Sequence, residues 1–416
     1  MTEKSRRDFL KKLGISATTL SAFSFWNIPE IKAASERLSQ EDFWEMIRRS
    51  YQQSSDFINL ENGYFSPQPL EVLRAHAEYQ EMINRIPSYY MRTRQFEERD
   101  EVKEKLASLA GVSKEEIVIT RNTTESLDTI ILGLKMKKGD EAIMTDQDYL
   151  SMVEAFRQRA RRDGIVNKMI SLPLLPKSDE EIVAVYEKAI TKRTKVMLVT
   201  HLINITGQVL PVKKICDMAH SYGVEVICDS AHAFAQLDFK IPDLNCDYFG
   251  CSLHKWLCTP LGMGLLYVKK ENIEKVWPLF GDDTYADDDI RKFEHLGTQP
   301  VHTHLALSNA IDFHLAIGAT KKEERLKLLR KYWTDKVKDN PKVTLNMPLE
   351  DSRASALGNI AIDGYSPSEL AIYFMEKHKI FTVAIDRQTV KGVRVTPHLY
   401  TSYEELDKFV KAVEQA

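Results

Sequence analysis

The feature that most constrains this chain is an alternation. Between residues 116 and 270, short apolar and β-branched runs trade places with amphipathic helical patterns. Candidate strands at 116–120, 141–145, 165–170 and 195–200 precede candidate helices at 124–134, 150–163, 179–190 and 212–222. A further strand begins at Val224, and a short one covers 247–250. Strands separated by helices of this length close right-handed crossovers and build a mainly parallel sheet.

Outside that region the pattern changes. Residues 35–56 read as one polar amphipathic helix, followed by an Asn62-Gly63 turn and a break at Pro67 and Pro69. Helices are expected from 70 into the Arg92 region and over 96–110. After residue 270 a long helix at 303–340 leads to strands near Val343 and at 357–362, 382–385 and 392–396. Helices at 368–377 and 403–414 complete a smaller α+β domain.

A chain of 416 residues exceeds one ordinary core. With 57 basic and 60 acidic residues its formal charge is −3, so no global field favours nucleic acid. Arg6 and Arg7 precede a mildly apolar run at 13–28 and the small residues Ala33 and Ala34. That layout describes an export signal and resembles the twin-arginine type, its apolar run being too short and too rich in Ser and Thr to span a bilayer comfortably. The expectation is passage of the folded protein through the twin-arginine translocase to a periplasmic or extracytoplasmic site, with no membrane contact in the mature form. The expected division is a signal at 1–34, an N-terminal segment at 35–64 packing with the small domain, a large domain at 65–300 and a small C-terminal domain at 301–416.

The five cysteines, Cys216, Cys228, Cys246, Cys251 and Cys258, contain no C-x-x-C pair and are odd in number. They read as small buried hydrophobes, and no metal site is expected. The cluster Arg157, Arg159, Arg161 and Arg162 reads as a solvated helix face. The acidic run from Asp282 to Asp289 lacks EF-hand spacing and reads as a loop.

The chemistry gathers at strand ends, where parallel sheets build their sites. The strand after Val224 delivers Asp229 and His232, and the next delivers Ser252, His254 and Lys255. A lysine amine becomes a carbonyl nucleophile when an apolar pocket or a nearby cation lowers its pKa. A carboxylate such as Asp229 can hold a pyridine nitrogen protonated. The turn from Thr120 to Glu125 can seat a phosphate at a helix start, or can be an ordinary N-cap. Lysine, carboxylate and phosphate seat together are the protein side of pyridoxal phosphate chemistry.

From about Leu60 to its end the chain resembles the class V aminotransferase group of fold type I pyridoxal phosphate enzymes, and within it the isopenicillin N epimerase-like branch. The resemblance is carried by NTTE at Asn122, DYLSM at Asp148, HLINITGQVLP at His201, CDSAHA at Cys228, CSLHKW at Cys251, LGTQP at Leu296 and VRVTPHLY at Val393. It implies an α/β fold of that type: a large domain with a mostly parallel sheet between helices, and a smaller α+β domain. It also implies that Lys255 forms the Schiff base with pyridoxal phosphate and moves the proton at the substrate α-carbon. Asp229 would partner the ring nitrogen, His232 and Asn204 the ring hydroxyl, and Tyr149 the ring face. Thr123, Thr124, Ser252 and His254 would cradle the phosphate. Thr298 would reach the phosphate of the partner subunit, which implies a homodimer. Arg394 would pair with the substrate carboxylate, and Asn62 and Gly63 would line the substrate site.

The fold does not choose the reaction, because transamination, epimerisation, elimination and desulfuration begin alike. The absence of any cysteine after Cys258 argues against a persulfide-forming desulfurase. The expectation is an exported enzyme acting on an α-amino acid or amino-acyl metabolite by transamination or epimerisation. The alternatives are a C–S lyase without a catalytic cysteine, and a binding protein that kept the scaffold without catalysis.

Overall fold

The computed structural model describes residues 28–416, so Arg6 and Arg7 lie outside the described residues. Helices α1 (Ile28–Arg37) and α2 (Gln40–Arg49) come first, where one helix was expected. Ser39 separates them, because its side chain caps α2 by accepting from the Asp42 N–H. Ile31 on α1 is fully buried, so the expected signal boundary at residue 34 falls inside a packed helix. Strand β1 (Ile58–Asn59) precedes α3 (Leu70–Arg85), α4 (Pro87–Thr93) and α5 (Gln95–Ala110). Pro87 sits at the start of α4 and ends the longer helix expected over this stretch.

The large domain alternates β2 (Ile117–Thr120), α6 (Thr123–Gly133), β3 (Glu141–Thr145), α7 (Leu150–Asp163), β4 (Val166–Ile170), α8 (Asp179–Ala189), β5 (Thr194–Thr200), α9 (Val212–Ser221) and β6 (Glu225–Asp229). The short α10 (Ile241–Leu244), β7 (Tyr248–Ser252) and β8 (Gly264–Val268) follow. The sheet order is β2-β8-β7-β6-β5-β3-β4. Only β8 runs against its neighbours, pairing antiparallel with both β2 and β7. Val118, Leu198 and Ile227 point to one face, where they meet Leu127, Ile130, Met152 and Phe156 of α6 and α7. Ile119, Val199 and Val226 point to the other, packed with Leu106 and Ile215. Burial on both faces is why these strands read as continuous apolar runs.

Beyond the sheet, α11 (Val301–Ile317) and α12 (Ala319–Val337) replace the single long helix expected there. Gly318 divides them with φ of 92°, a conformation that favours glycine. The small domain carries β9 (Val343–Leu345), β10 (Gly358–Ile362), α13 (Pro367–His378), β11 (Ile380–Phe381), β12 (Val383–Asp386), β13 (Lys391–Val395) and α14 (Tyr403–Glu414). Its antiparallel sheet is ordered β12-β13-β10-β9, and β11 pairs in parallel with β1.

The solvated face proposed for the arginine cluster needs correction at Arg159. That side chain is buried and donates to the Leu134 carbonyl at 2.9 Å and to Ile131, while pairing with Asp163. All five cysteines are buried and free, and the acidic run from Asp282 lies in a loop. Among the described residues no cluster could hold a metal, and no helix is long and apolar enough to cross a membrane.

Candidate active site

Strand register assembles the site. Parallel pairing sets Thr200 opposite Asp229 and Asp229 opposite Gly250, so the turns after β5, β6 and β7 open at one sheet edge. Gly264 of β8 lies opposite both Thr120 and Ser252, which brings the start of α6 to the end of β7. A Cβ on Gly264 would fall 2.7 Å from the backbone of Asn122. Glycine there lets the β2–α6 turn close over β8. The Thr123 N–H then donates to Ser252 Oγ at 3.0 Å, and the two hydroxyls sit 2.7 Å apart.

These turns enclose a cavity of about 270 Å3. Thr123, Thr124, Ser252 and His254 line it, as do Asp229, His232 and Lys255. Tyr149 at the start of α7 and Asn204 in the loop after β5 line it too. These motifs therefore converge from five separate turns onto one space. Lys255 Nζ stands 3.0 Å from His232 Nε2. Asp229 Oδ1 accepts from the Ala231 N–H at 3.0 Å. His254 Nδ1 donates to the Met263 carbonyl at 3.1 Å, and its ring stacks on that of Phe65.

Burial sets the protonation states. It pushes the Lys255 amine down to about 8, against the pull of the Asp229 carboxylate, and nearby Arg394 assists. Burial also lowers His232 far below the ordinary imidazole value, with Lys255 adding to the effect, and lowers His254 to about 4. Both rings are neutral near pH 7. Asp229 is raised by burial, opposed by the Ala231 N–H and by Lys255.

Four expected site residues, Asn62, Gly63, Thr298 and Arg394, do not line this cavity. Asn62 is fully buried, donating to the Thr396 carbonyl at 2.8 Å and accepting from Tyr400 Oη at 2.6 Å. Thr298 is exposed and does not line this cavity. Arg394 is fully buried behind the cavity and is held by Glu61. Glu61 itself escaped the sequence reading, although a charged residue directly before the Asn62-Gly63 turn was a visible signal. Asp148 escaped as well. It accepts from the Thr145 N–H and from Thr200 Oγ1, both at 2.7 Å, fixing the turn that presents Tyr149. Burial raises Asp148 to about 7.

Comparison with known proteins agrees with this geometry. The family model described as aminotransferase class-V matches residues 58–409. The isopenicillin N epimerase of Streptomyces clavuligerus is 25% identical over 89% of this chain and 98% of its own length. The cysteine desulfurase of Haloferax volcanii is 26% identical over 76% of this chain and 78% of its own. Among solved structures, the apo cysteine desulfurase of Thermococcus onnurineus superposes with a TM-score of 0.78 at 23% identity, covering 90% of this chain and 97% of that one. A C-DES variant with glycine covalently linked to its PLP cofactor gives 0.79 at 20% identity, covering 88% and 98%.

The residues present fit pyridoxal phosphate. The start of α6 offers donors for a phosphate, Lys255 offers an amine and Asp229 a carboxylate. His232 Nδ1 is buried without a protein partner, as a group reserved for a ligand would be. Family match, fold and cavity agree: the chain belongs to the class V aminotransferase family, and pyridoxal phosphate is its cofactor.

Proposed function

We propose that this chain is an enzyme acting at the amino-bearing carbon of an amino acid or amino-acyl metabolite, by transamination or epimerisation. One observation carries the reading: the Lys255 amine meets a neutral imidazole at 3.0 Å on the wall of a cavity that also holds Asp229. Bound pyridoxal phosphate supplies an electron sink. The chain's own residues supply the rest. Thr123, Thr124 and Ser252 would hold the phosphate, and Asp229 would keep the ring nitrogen protonated. An amine lowered to about 8 has a usable unprotonated fraction near neutrality, so Lys255 can take a proton from the substrate carbon and return it.

A C–S lyase is the second reading, supported by relatives and structural neighbours named cysteine desulfurase and cystine C-S lyase. None of the five cysteines lines the cavity, so such a lyase would work without a protein thiol. Incubating the cofactor-loaded protein with an amino-acid panel separates the readings. Oxo-acid formation or exchange of the α-proton for deuterium supports the first, and sulfide from cysteine or cystine supports the second. Silence across the panel with cofactor bound favours a binding protein.

A homodimer belongs to the proposal, because Thr298 is exposed beside Gly297 and away from its own cavity. A monomer in sedimentation velocity would reject it. Folded export rests on Arg6 and Arg7. Replacing both by Lys should keep the protein inside the cell, and an unchanged extracytoplasmic yield would reject export by this route.

A further inference from the structure

The end of β5 carries a hydrogen-bonded pair that the proposed reaction does not use. Thr200 Oγ1 donates to one oxygen of Asp148 at 2.7 Å, and the Thr145 N–H donates to the other at 2.7 Å. Both side chains are buried, yet Thr200 reaches the cavity wall. Strand register decides what stands beside it. Leu198 and Ile227 are partners on β5 and β6, and both pack toward α6 and α7. Two residues on, Thr200 and Asp229 are partners in the same register, so their side chains share that face on strands about 4.8 Å apart. Asp229 lines the same cavity. The order across three elements is therefore Asp148, Thr200, Asp229: two buried carboxyl groups with a hydroxyl between them.

The surroundings of Asp148 favour its neutral form. Burial raises it to about 7, the Asp229 carboxylate adds to the effect, and the hydrogen bonds from Thr145 and Thr200 oppose it. From α8, Tyr186 faces it too; that phenol is fully buried, its hydroxyl has no hydrogen-bond partner, and burial together with Asp148 keeps it neutral. Asp229 has the Lys255 amine to lower it, and the neighbouring thiols of Cys228 and Cys251 are neutral, pushed far up by burial. Two like charges buried this close do not both ionise cheaply. The proton rests on Asp148 and the charge on Asp229.

A hydroxyl has one hydrogen to give and lone pairs to receive. Towards an ionised Asp148, Thr200 spends that hydrogen. A protonated Asp148 donates to Thr200 Oγ1 instead, and the Thr200 hydrogen is released toward the cavity. We propose that Asp148 is a positioning residue that acts through the Thr200 hydroxyl on Asp229: its protonated form makes Thr200 a donor toward the Asp229 carboxylate, and its ionised form withdraws that donor. For its effect on the cofactor this rests on the reading above, and it adds a pH response to that site. The donor favours Asp229 as an anion. Its withdrawal makes Asp229 a tighter holder of a ring-nitrogen proton.

The apoprotein tests this without the cofactor. It is titrated across neutrality while the infrared C=O stretch of protonated carboxyl groups is followed. The wild type should lose such a band with a midpoint at about 7, and Asp148→Asn should lack it. Thr200→Val removes the donor to the ionised form and should raise the proton affinity of Asp148 about tenfold, the worth of one hydrogen bond to a charged group, while Thr200→Ser keeps the wild-type midpoint. Asp229→Asn removes the neighbouring charge and should move the midpoint down. A band that persists in Asp148→Asn, or a midpoint unmoved by Thr200→Val or by Asp229→Asn, overturns the proposal. A merely structural Asp148 would move none of these.

In the holoprotein the visible cofactor band should carry a pH step at or below the same midpoint, and Asp148→Asn should abolish it. The amide reproduces the neutral acid, accepting from the Thr145 N–H and donating to Thr200. A step of equal size in both proteins, or none in the wild type, overturns the link to the cofactor. A protein that never develops a cofactor band fails the preceding functional reading instead, while the infrared titration still decides this one. Should Asp148→Asn not fold, Thr200→Val and its rescue by Thr200→Ser decide in both forms of the protein.

Discussion

Two lysines lie deep in this molecule and have different surroundings. Lys322 on α12 is 3% exposed and donates to the backbone carbonyl of Trp256. Lys255 is the neighbour of that same tryptophan in sequence, yet its amine turns to His232 and to the cavity. Burial lowers both amines, opposed at Lys322 by Cys258 and at Lys255 by Asp229. What separates them is the partner and the space. A carbonyl in packed surroundings fixes Lys322 as a structural donor, whereas a neutral imidazole beside open volume leaves Lys255 free to change partners. Desolvation prepares an amine, and accessible volume makes it a reagent.

The contrast can be broken most directly at Lys255. Lys255→Ala should abolish the visible cofactor band while the apoprotein unfolds as the wild type does; a retained band would mean that the reactive amine has been misidentified. Lys322→Ala should do the reverse, keeping the band and costing about 2–4 kcal/mol in denaturant unfolding, because a cavity opens and the Trp256 carbonyl loses its donor. Unchanged stability would remove the structural role assigned to it. Ser252→Ala should weaken pyridoxal phosphate by about fivefold to tenfold, the worth of one hydrogen bond, and leave capture of phosphate-free pyridoxal unaltered. Equal losses for both forms would place Ser252 away from the phosphate.

The smallest effect is a pH profile. Cofactor capture by the apoprotein should rise with pH to a plateau, with a midpoint at about 8 in place of the ordinary lysine value of 10.5. The sign for stability follows from the same shift. Between about 8 and 10.5 the native state holds fewer protons at Lys255 than the unfolded chain does, so this residue's contribution to apoprotein stability increases with pH across that window. A capture profile still rising at pH 10 would contradict a depressed amine.

Much of the site was legible because its residues sit at strand ends, and strand ends follow from local pattern. Asp229, His232, Ser252, His254 and Lys255 are placed by β6, β7 and the turns after them, whose apolar runs are unmistakable. The direction of β8 was not legible, since side-chain alternation is the same for parallel and antiparallel strands. The division at Gly318 was hidden because helical patterns flank it on both sides. Arg159 looked solvated by composition, but carbonyls left free near the end of α6 take up its guanidinium. The Glu61–Arg394 pair was hidden most deeply: its members are 333 residues apart, and no local pattern carries such a contact.

That separation also orders events during synthesis. Among the described residues β1 finds its only strand partner in β11, and the Thr396 N–H closes on the Leu60 carbonyl at 2.7 Å. At ribosomal rates of about 5–20 residues per second, Glu61 waits roughly twenty seconds to a minute before Arg394 is made. Until then it is a carboxylate without its guanidinium partner. A segment near the start of the described fold is thus locked by one near its end, so the pair serves as a completion mark: a chain truncated before Arg394 cannot close this part of the molecule.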